Sequence, residues 1–146
     1  KKLYQFMHRN PALEMHPVDF TNDPYLAGQN DNLHAINATM QIDFMGQCGS
    51  ESLGFAPYSG TGGQSDFVRA ANRSNGGKAF IVLPSTAKND TISRIVPTLS
   101  AGTHVSTGKN DINYVVTEFG VAQLPGMCAT PRDSGVTQLP WPLKKK

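Results

Sequence analysis

The feature that most constrains the fold is a continuous apolar run, AFIVL, at residues 79–83, which Pro84 ends. Such a run is typical of a strand covered on both faces, as in parallel sheets. A glycine-rich loop, a segment with helical periodicity and the stop signal SNGG at residues 74–77 precede it. With a further strand upstream, this order predicts a β-α-β unit. We therefore expect an α/β domain with an open mixed or parallel sheet flanked by helices.

The upstream strand is predicted at residues 36–43, where apolar and polar residues alternate strictly. Its apolar members are expected to share the buried face, since side chains alternate along a strand. These members are Ile36, Ala38, Met40 and Ile42.

The other elements follow from shorter patterns. Four of the ten prolines fall in residues 125–146, where periodicity is weak, so we expect an irregular tail there. The remaining pattern predicts a helix end at residues 3–7, a turn at 21–24 in which Asn22 forms an Asx-turn, and strands at 13–20, 92–96, 104–107 and 112–117, the last closed by Glu118 and Gly120.

The glycine-rich loop opens residues 58–69, YSGTGGQSDFVR. Ser65 is expected to cap the following helix, and Phe67, Ala70 and Ala71 are expected to share one face. Unpaired N–H groups and the positive dipole end of a helix attract anions, and glycines let a ligand approach closely. Taken alone, such a loop is more often only a tight connection. The sequence is neither a nucleotide P-loop nor a GxGxxG motif, so the pattern by itself does not identify a ligand.

Lys88 lies just past the predicted buried strand, at the strand end where open α/β sheets bind ligands. It could meet an anionic group, or it could be a solvated lysine in a polar loop.

Composition excludes several functions. The net charge is +2 with no basic face, which argues against nucleic acid, and no apolar run has the length of a membrane span. No signal peptide is recognised, and Cys48 and Cys128 are expected to be free thiols of a reducing, cytoplasmic compartment. Lys1 in place of a methionine indicates a chain that begins within a longer protein.

No catalytic or metal-binding constellation is evident. The sequence lacks Gly-x-Ser-x-Gly, and no metal is expected because the histidines are scattered. Surface or loop positions are expected for the candidate acids and bases, Glu14, Glu51 and Glu118.

Five stretches in order closely resemble the carboxyl-terminal domain of the acetyl-CoA hydrolase/transferase family, and within it the 4-hydroxybutyrate and butyrate CoA-transferases. The resemblance covers residues 1–124, and the stretches are MHPVDFTNDPYLAGQND (15–31), AINATMQIDFMGQ (35–47), YSGTGGQSDFVRAA (58–71), LPSTAKNDTISRIVP (83–97) and DINYVVTEFGVAQL (111–124).

The resemblance implies a CoA-transferase (NagB/RpiA-like) fold and exchange of CoA between an acyl-CoA, such as acetyl-CoA, and a short-chain carboxylate. Coenzyme A is then a substrate, and a glutamate attacks the thioester to give an anhydride and then a glutamyl-CoA thioester. In the family this glutamate precedes the part present here, so the resemblance implies a missing amino-terminal domain as partner. It also leaves a homodimer open.

Site residues follow from the resemblance at matching positions only. Gly63 matches the glycine whose N–H donates to the oxyanion, and Asn22 matches an asparagine near the acyl carboxylate. The positions that line the CoA site or belong to its loop are Met40, Lys88, Ser59 and Gly62.

Residues 1–124 are accordingly predicted to form the domain, incomplete at both ends, and residues 125–146 an unrelated tail, because the family pattern stops after GVAQL. Two alternatives to CoA transfer stay open. One is acetyl-CoA hydrolysis, in which water intercepts the anhydride. The other is a non-catalytic fragment that at most binds CoA, since the nucleophile lies outside the chain.

Overall fold

The computed structural model describes residues 1–124. The tail predicted at residues 125–146 lies outside them. The helices are α1 (Lys2–Met7), α2 (Val18–Thr21), α3 (Pro24–Ala27) and α4 (Gln64–Arg73). The strands are β1 (His34–Ala38), β2 (Gln41–Asp43), β3 (Cys48–Gly49), β4 (Ser52–Leu53), β5 (Ala56–Pro57), β6 (Lys78–Val82), β7 (Thr86–Ala87), β8 (Ile92–Ser93), β9 (Ile95–Val96), β10 (Tyr114–Thr117) and β11 (Gly120–Gln123).

The main sheet has the order β1-β6-β10-β11. Strands β1, β6 and β10 are parallel, and β11 pairs antiparallel with β10. Helix α4 lies between β1 and β6 in the chain and packs against both. The predicted β-α-β unit and the mixed α/β class are therefore confirmed.

The prediction of one strand over residues 36–43 is wrong, because the chain breaks at Thr39-Met40 and changes sheet. The Thr39 hydroxyl lies 2.9 Å from Gly49 O and 3.1 Å from Gln41 O, so its one proton bonds at this bend, and the Met40 N–H donates to Gly49 O at 3.1 Å. Strand β2 then pairs with β3 and β9 in a separate three-stranded sheet. A local side-chain bond to the backbone thus ends β1 and starts a new direction.

The predicted buried face of β1 is also wrong. Ala35 is 6% exposed and Ile36 is 71% exposed, so the small residue faces the helix. Ala35 pairs in register with Ala79, and both join the core with Val68 and Ala71 of α4. Small residues allow α4 to approach the sheet closely, and this approach decides which face is inside.

The AFIVL run forms the central strand β6, as expected, but its coverage on both faces is not found within the described residues. Ala79 and Ile81 are fully buried against α4, while Val82 on the other face is 37% exposed.

Helix α4 buries the expected face in part. Ala70 and Ala71 are fully buried, Phe67 is half-buried against the core, and Val68 is a further buried residue that the pattern did not indicate. The helix ends where expected: its C-cap residue Ser74 is extended, and the left-handed φ of the stop signal, +74°, occurs at Gly76. The Ser74 hydroxyl donates to Asn30 O at 2.6 Å and accepts from Leu33 N–H at 3.0 Å, which ties the end of α4 to the start of β1.

Three strand predictions need correction. Residues 13–20 contain no strand, because Pro17 begins α2 and accepts the N–H groups of Phe20 and Thr21. Residues 104–107 make only an isolated bridge, from Thr107 to Cys48. Residues 92–96 split into β8 and β9, which belong to different sheets. The hairpin strand β11 is absent from the predicted elements, because Glu118 and Gly120 are expected to close the preceding strand, whereas the structure has a turn at residues 118–119.

Helix α1 confirms the predicted helix at residues 3–7, and none of its residues is buried.

Candidate active site

The glycine loop lies at the edge of the main sheet where its parallel strands end. Strands β1 and β6 run in the same direction, and α4 connects them as a crossover, so the amino terminus of α4 lies near their carboxyl ends. In open α/β sheets this edge is where ligands bind.

Gly63 is the N-cap residue of α4, and no side chain caps the helix within the described residues. The prediction that Ser65 caps it is wrong, because the Ser65 hydroxyl donates to the backbone carbonyl of Ser106 at 2.5 Å. The first-turn N–H groups are thereby left for a ligand, with the positive end of the helix dipole behind them.

The structure brings Asn22 and Gly63 together, although 41 positions separate them in the sequence. A Cβ built on Gly63 would lie 2.5 Å from Asn22 Nδ2 and 3.3 Å from the Phe67 ring. A side chain at this position would displace the Asn22 amide, which occupies this space. A backbone N–H and a side-chain amide therefore share one small region, an arrangement suited to an oxygen atom carrying negative charge.

Asn22 is the residue that ends α2, and the Asx-turn predicted for it is not formed, since Pro24 two residues on has no N–H. The Asn22 Oδ1 instead accepts from the Thr21 hydroxyl at 3.1 Å, which leaves Nδ2 directed at Gly63. Asp23 makes the local bonds, capping α3 by accepting the N–H groups of Tyr25 and Leu26.

The loop ahead of Gly63 is exposed and open. A Cβ on Gly60 or Gly62 would meet nothing within 4 Å, and Gly62 has φ +59°. Its start is fixed because Tyr58 and Ser59 donate their N–H groups to Glu51 O at 2.8 and 3.2 Å. The Ser59 hydroxyl donates to Gly60 O at 3.0 Å, within the loop.

Met40 and Lys88 follow the carboxyl ends of β1 and β6 in the chain. Met40 is half-buried two residues after β1, and Lys88 is exposed with φ +49° in the turn between β7 and β8. Glu118, which follows β10, fixes the segment leading to Lys88, since its carboxylate accepts both the N–H and the hydroxyl of Ser85. A contact between residues 33 positions apart left no signal in the sequence.

The candidate acids differ in their surroundings. Glu14 is exposed and pairs with His16 at 2.8 Å, as expected of a surface residue. Glu51 lies in a loop but is mostly enclosed. Its Oε1 is 3.3 Å from His104 Nδ1, and its buried Oε2 has no hydrogen-bond partner within the described residues.

Cys48 carries a free thiol in the core, and Cys128 lies outside the described residues. Burial raises the pKa of the Cys48 thiol from its ordinary value of 9.0 to about 12, with a hydrogen bond to Thr39 lowering it and the Asp43 charge raising it. A thiol with this pKa stays protonated at neutral pH, so Cys48 is not a nucleophile.

Residues 1–124 contain no group of three or more His, Cys, Asp or Glu side chains placed to hold a metal ion. In the same residues, no helix has both the length and the apolar character needed to cross a membrane.

Comparison with known proteins extends these observations. A family model described as the acetyl-CoA hydrolase/transferase C-terminal domain matches residues 1–140. The match runs past residue 124, where we placed the domain boundary, and that boundary stays a prediction.

Two relatives illustrate the similarity. The succinyl-CoA:cyclohexane-1-carboxylate CoA transferase of Geobacter metallireducens is 63% identical over 131 residues, which cover 90% of this chain and 30% of that protein. The 4-hydroxybutyrate coenzyme A transferase of Clostridium kluyveri is 52% identical, over 86% of this chain and 29% of that protein.

Among solved structures, RipA from Yersinia pestis superposes with a TM-score of 0.78 and 46% identity, covering 86% of this chain and 28% of that chain. The chain therefore spans about 30% of the length of the curated relatives it matches.

Proposed function

We propose that this chain, which belongs to the acetyl-CoA hydrolase/transferase family and matches its C-terminal domain, supplies the oxyanion donor and part of the CoA-binding edge of a CoA-transferase. The reaction exchanges CoA between an acyl-CoA and a short-chain carboxylate, with coenzyme A as a substrate. The observation that carries the proposal is the uncapped start of α4, with the Asn22 amide 2.5 Å from the position of a Gly63 Cβ.

The chemistry needs a carboxylate nucleophile, which we assign to a glutamate outside residues 1–146. Its oxygen attacks the thioester carbonyl carbon, and the carbonyl π electrons move onto oxygen. Collapse of this intermediate expels CoA thiolate and leaves an acyl-glutamyl anhydride. The thiolate then attacks the glutamyl carbonyl and expels the first carboxylate, giving a glutamyl-CoA thioester. The acceptor acid reverses both steps and leaves as a new acyl-CoA.

Residues of this chain act where charge develops. The Gly63 N–H donates to the oxyanion, and the α4 dipole lowers the energy of that negative charge. Asn22 Nδ2 binds a carboxylate oxygen of the acyl group. Lys88 offers a cation to a CoA phosphate, Met40 contacts the CoA chain, and Ser59 and Gly62 shape the loop beside it.

The acceptor is proposed to be butyrate or 4-hydroxybutyrate, as the name of the Clostridium kluyveri relative supports. The name of the Geobacter metallireducens relative adds cyclohexane-1-carboxylate as a third acid to test. The enzyme is proposed to act in the cytoplasm, in one chain with an amino-terminal domain.

The test uses the complete protein from the gene that encodes this chain, with acetyl-CoA as donor. We expect each new acyl-CoA to appear only when its acid is added, as measured by liquid chromatography. Release of free CoA at the same rate without any acid would identify a hydrolase instead. No exchange with any of the three acids, by a folded protein, would overturn the proposal.

A further inference from the structure

A layer of buried hydroxyl groups lies beneath the first turn of α4. Ser106 and Thr107 are buried, with Thr107 only 2% exposed. Their segment is fixed to β3, because Cys48 N–H donates to Thr107 O at 3.0 Å and Ser106 N–H donates to Cys48 O at 2.8 Å.

Side chains from the helix start reach into this layer. Gln64 Nε2 donates to Thr107 Oγ1 at 3.1 Å, Ser65 Oγ lies 3.3 Å from Thr107 Oγ1, and Ser65 Oγ donates to Ser106 O at 2.5 Å. Each hydroxyl has one proton, and the Ser65 proton is used on the Ser106 carbonyl, so Thr107 must donate to Ser65. The bonds therefore run in one direction, from Gln64 through Thr107 and Ser65 to the backbone, and each polarises the next.

The hydrogen bonds to Thr107 hold Gln64 and Ser65, the two residues directly after Gly63. Ahead of Gly63 the loop has open space around Gly60 and Gly62, which gives the backbone no side-chain support there. The orientation of the Gly63 N–H thus depends on how firmly Gln64 and Ser65 are held.

The loop is fixed at its other end to the same part of the molecule. Glu51, three residues after Cys48, accepts the N–H groups of Tyr58 and Ser59 through its backbone carbonyl. Residues 48–51 consequently hold the loop entrance directly and the loop exit through Thr107.

We propose that Thr107 is a positioning residue of the active site, which fixes the direction of the Gly63 N–H through Gln64 and Ser65. This inference rests on the proposed function, because it concerns the same oxyanion donor. Thr107 touches no reacting atom, so it should affect the rate of the chemical step more than substrate binding.

The test compares Thr107→Val with Thr107→Ser in the complete protein. Valine keeps the volume of the side chain and removes the hydroxyl, while serine keeps the hydroxyl. The matched control is Thr103→Val, which removes from the same segment a hydroxyl that accepts the Gly54 N–H at 2.7 Å.

For Thr107→Val we expect kcat to fall about 3- to 10-fold, the effect of one or two neutral hydrogen bonds, with KM for the acyl-CoA changed less than about twofold. Thr107→Ser should restore most of kcat, and Thr103→Val should leave it unchanged. Amide hydrogen exchange of residues 63–66, followed by mass spectrometry, should accelerate by a similar factor in Thr107→Val alone.

Equal kcat and equal exchange in the Thr107→Val and Thr103→Val proteins would overturn the inference. Failure of the wild-type protein to transfer CoA would overturn the proposed function instead, and the exchange measurement would still decide whether Thr107 holds the helix start.

Discussion

At the scale of single residues, the site depends on a close approach between Gly63 and Asn22. A Cβ on Gly63 would displace the Asn22 amide, while Gly60 three residues earlier has free space and no left-handed φ. The two glycines therefore make a matched pair, one in contact with the Asn22 amide and one not.

Gly63→Ala should reduce kcat/KM for CoA transfer by about 10- to 100-fold, because its Cβ displaces Asn22 and shifts the N–H donor. Gly60→Ala should retain nearly full activity. Steady-state kinetics of the complete protein measure both values. Equal activity of the two variants would show that Gly63 is only a turn residue.

Burial of the Cys48 thiol predicts slow alkylation in the folded protein. Because the pKa of the Cys48 thiol is raised from 9.0 to about 12, its thiolate fraction at pH 8 is about 10³-fold lower than that of an ordinary cysteine. Burial also limits access of the reagent to the sulfur. In the 146-residue chain, a Cys128→Ser variant leaves Cys48 as the only thiol. Iodoacetamide labelling with and without denaturant measures the ratio of the two alkylation rates. Alkylation of Cys48 at the same rate in the folded and the denatured protein would contradict its burial.

The same pKa shift predicts a pH dependence of stability. Because the folded pKa exceeds 9.0, the stabilising effect is complete below pH 9.0 and is lost as pH rises towards 12. We expect the free energy of unfolding to fall more steeply above pH 9.0 in the wild type than in Cys48→Ala, by at most about 1.4 kcal/mol per pH unit. Urea denaturation measures these free energies. The same dependence on pH in the wild type and in Cys48→Ala would rule out this effect of the thiol.

At the scale of elements, two four-residue helices position Asn22. It ends α2, and Asp23 begins α3, which packs against α4. Helices this short gain little from their own hydrogen bonds, so α3 depends on its packing against α4 and on the Asp23 cap.

Asp23→Ala should lower the free energy of unfolding by about 0.5–2 kcal/mol, because the N–H groups of Tyr25 and Leu26 lose their acceptor. Asp23→Asn keeps a side-chain oxygen and should lose less. Urea denaturation gives the stabilities. A loss as large for asparagine as for alanine would show that the charge of Asp23, and not its hydrogen bonds, is what matters.

At the scale of the whole molecule, the main sheet has two unequal faces within the described residues. One face packs on α4 through Ala35, Ala79 and Ile81. The other leaves Ile36 and Val121 exposed, although parallel sheets are normally buried on both faces.

The 146-residue chain should therefore bind the dye ANS, and Ile36→Thr should lower the dye fluorescence by roughly half, since Ile36 is the most exposed large apolar side chain on this face. Ile92→Thr changes an exposed isoleucine outside the main sheet and should leave the signal unchanged. The same low fluorescence in wild type and in Ile36→Thr would contradict the exposed face.

The sequence by itself determined the elements whose signals are local. The apolar run of β6, the periodicity of α4 and the glycines around it predicted the β-α-β unit, because strand and helix periods and turn residues act over a few positions. The family resemblance, carried by five stretches in order, selected Gly63 and Asn22 as candidates.

Only the tertiary structure decided which residues meet. The apolar–polar alternation continues past Thr39, but the hydrogen bond from Thr39 to Gly49 O ends the strand there. Packing against α4 places Ala35, and not Ile36, in the core. The Asn22 amide reached Gly63, and Thr107 reached Gln64 and Ser65, across about 40 positions. Such contacts leave no periodic trace in one sequence, since they depend on where whole elements pack and not on the residues beside them.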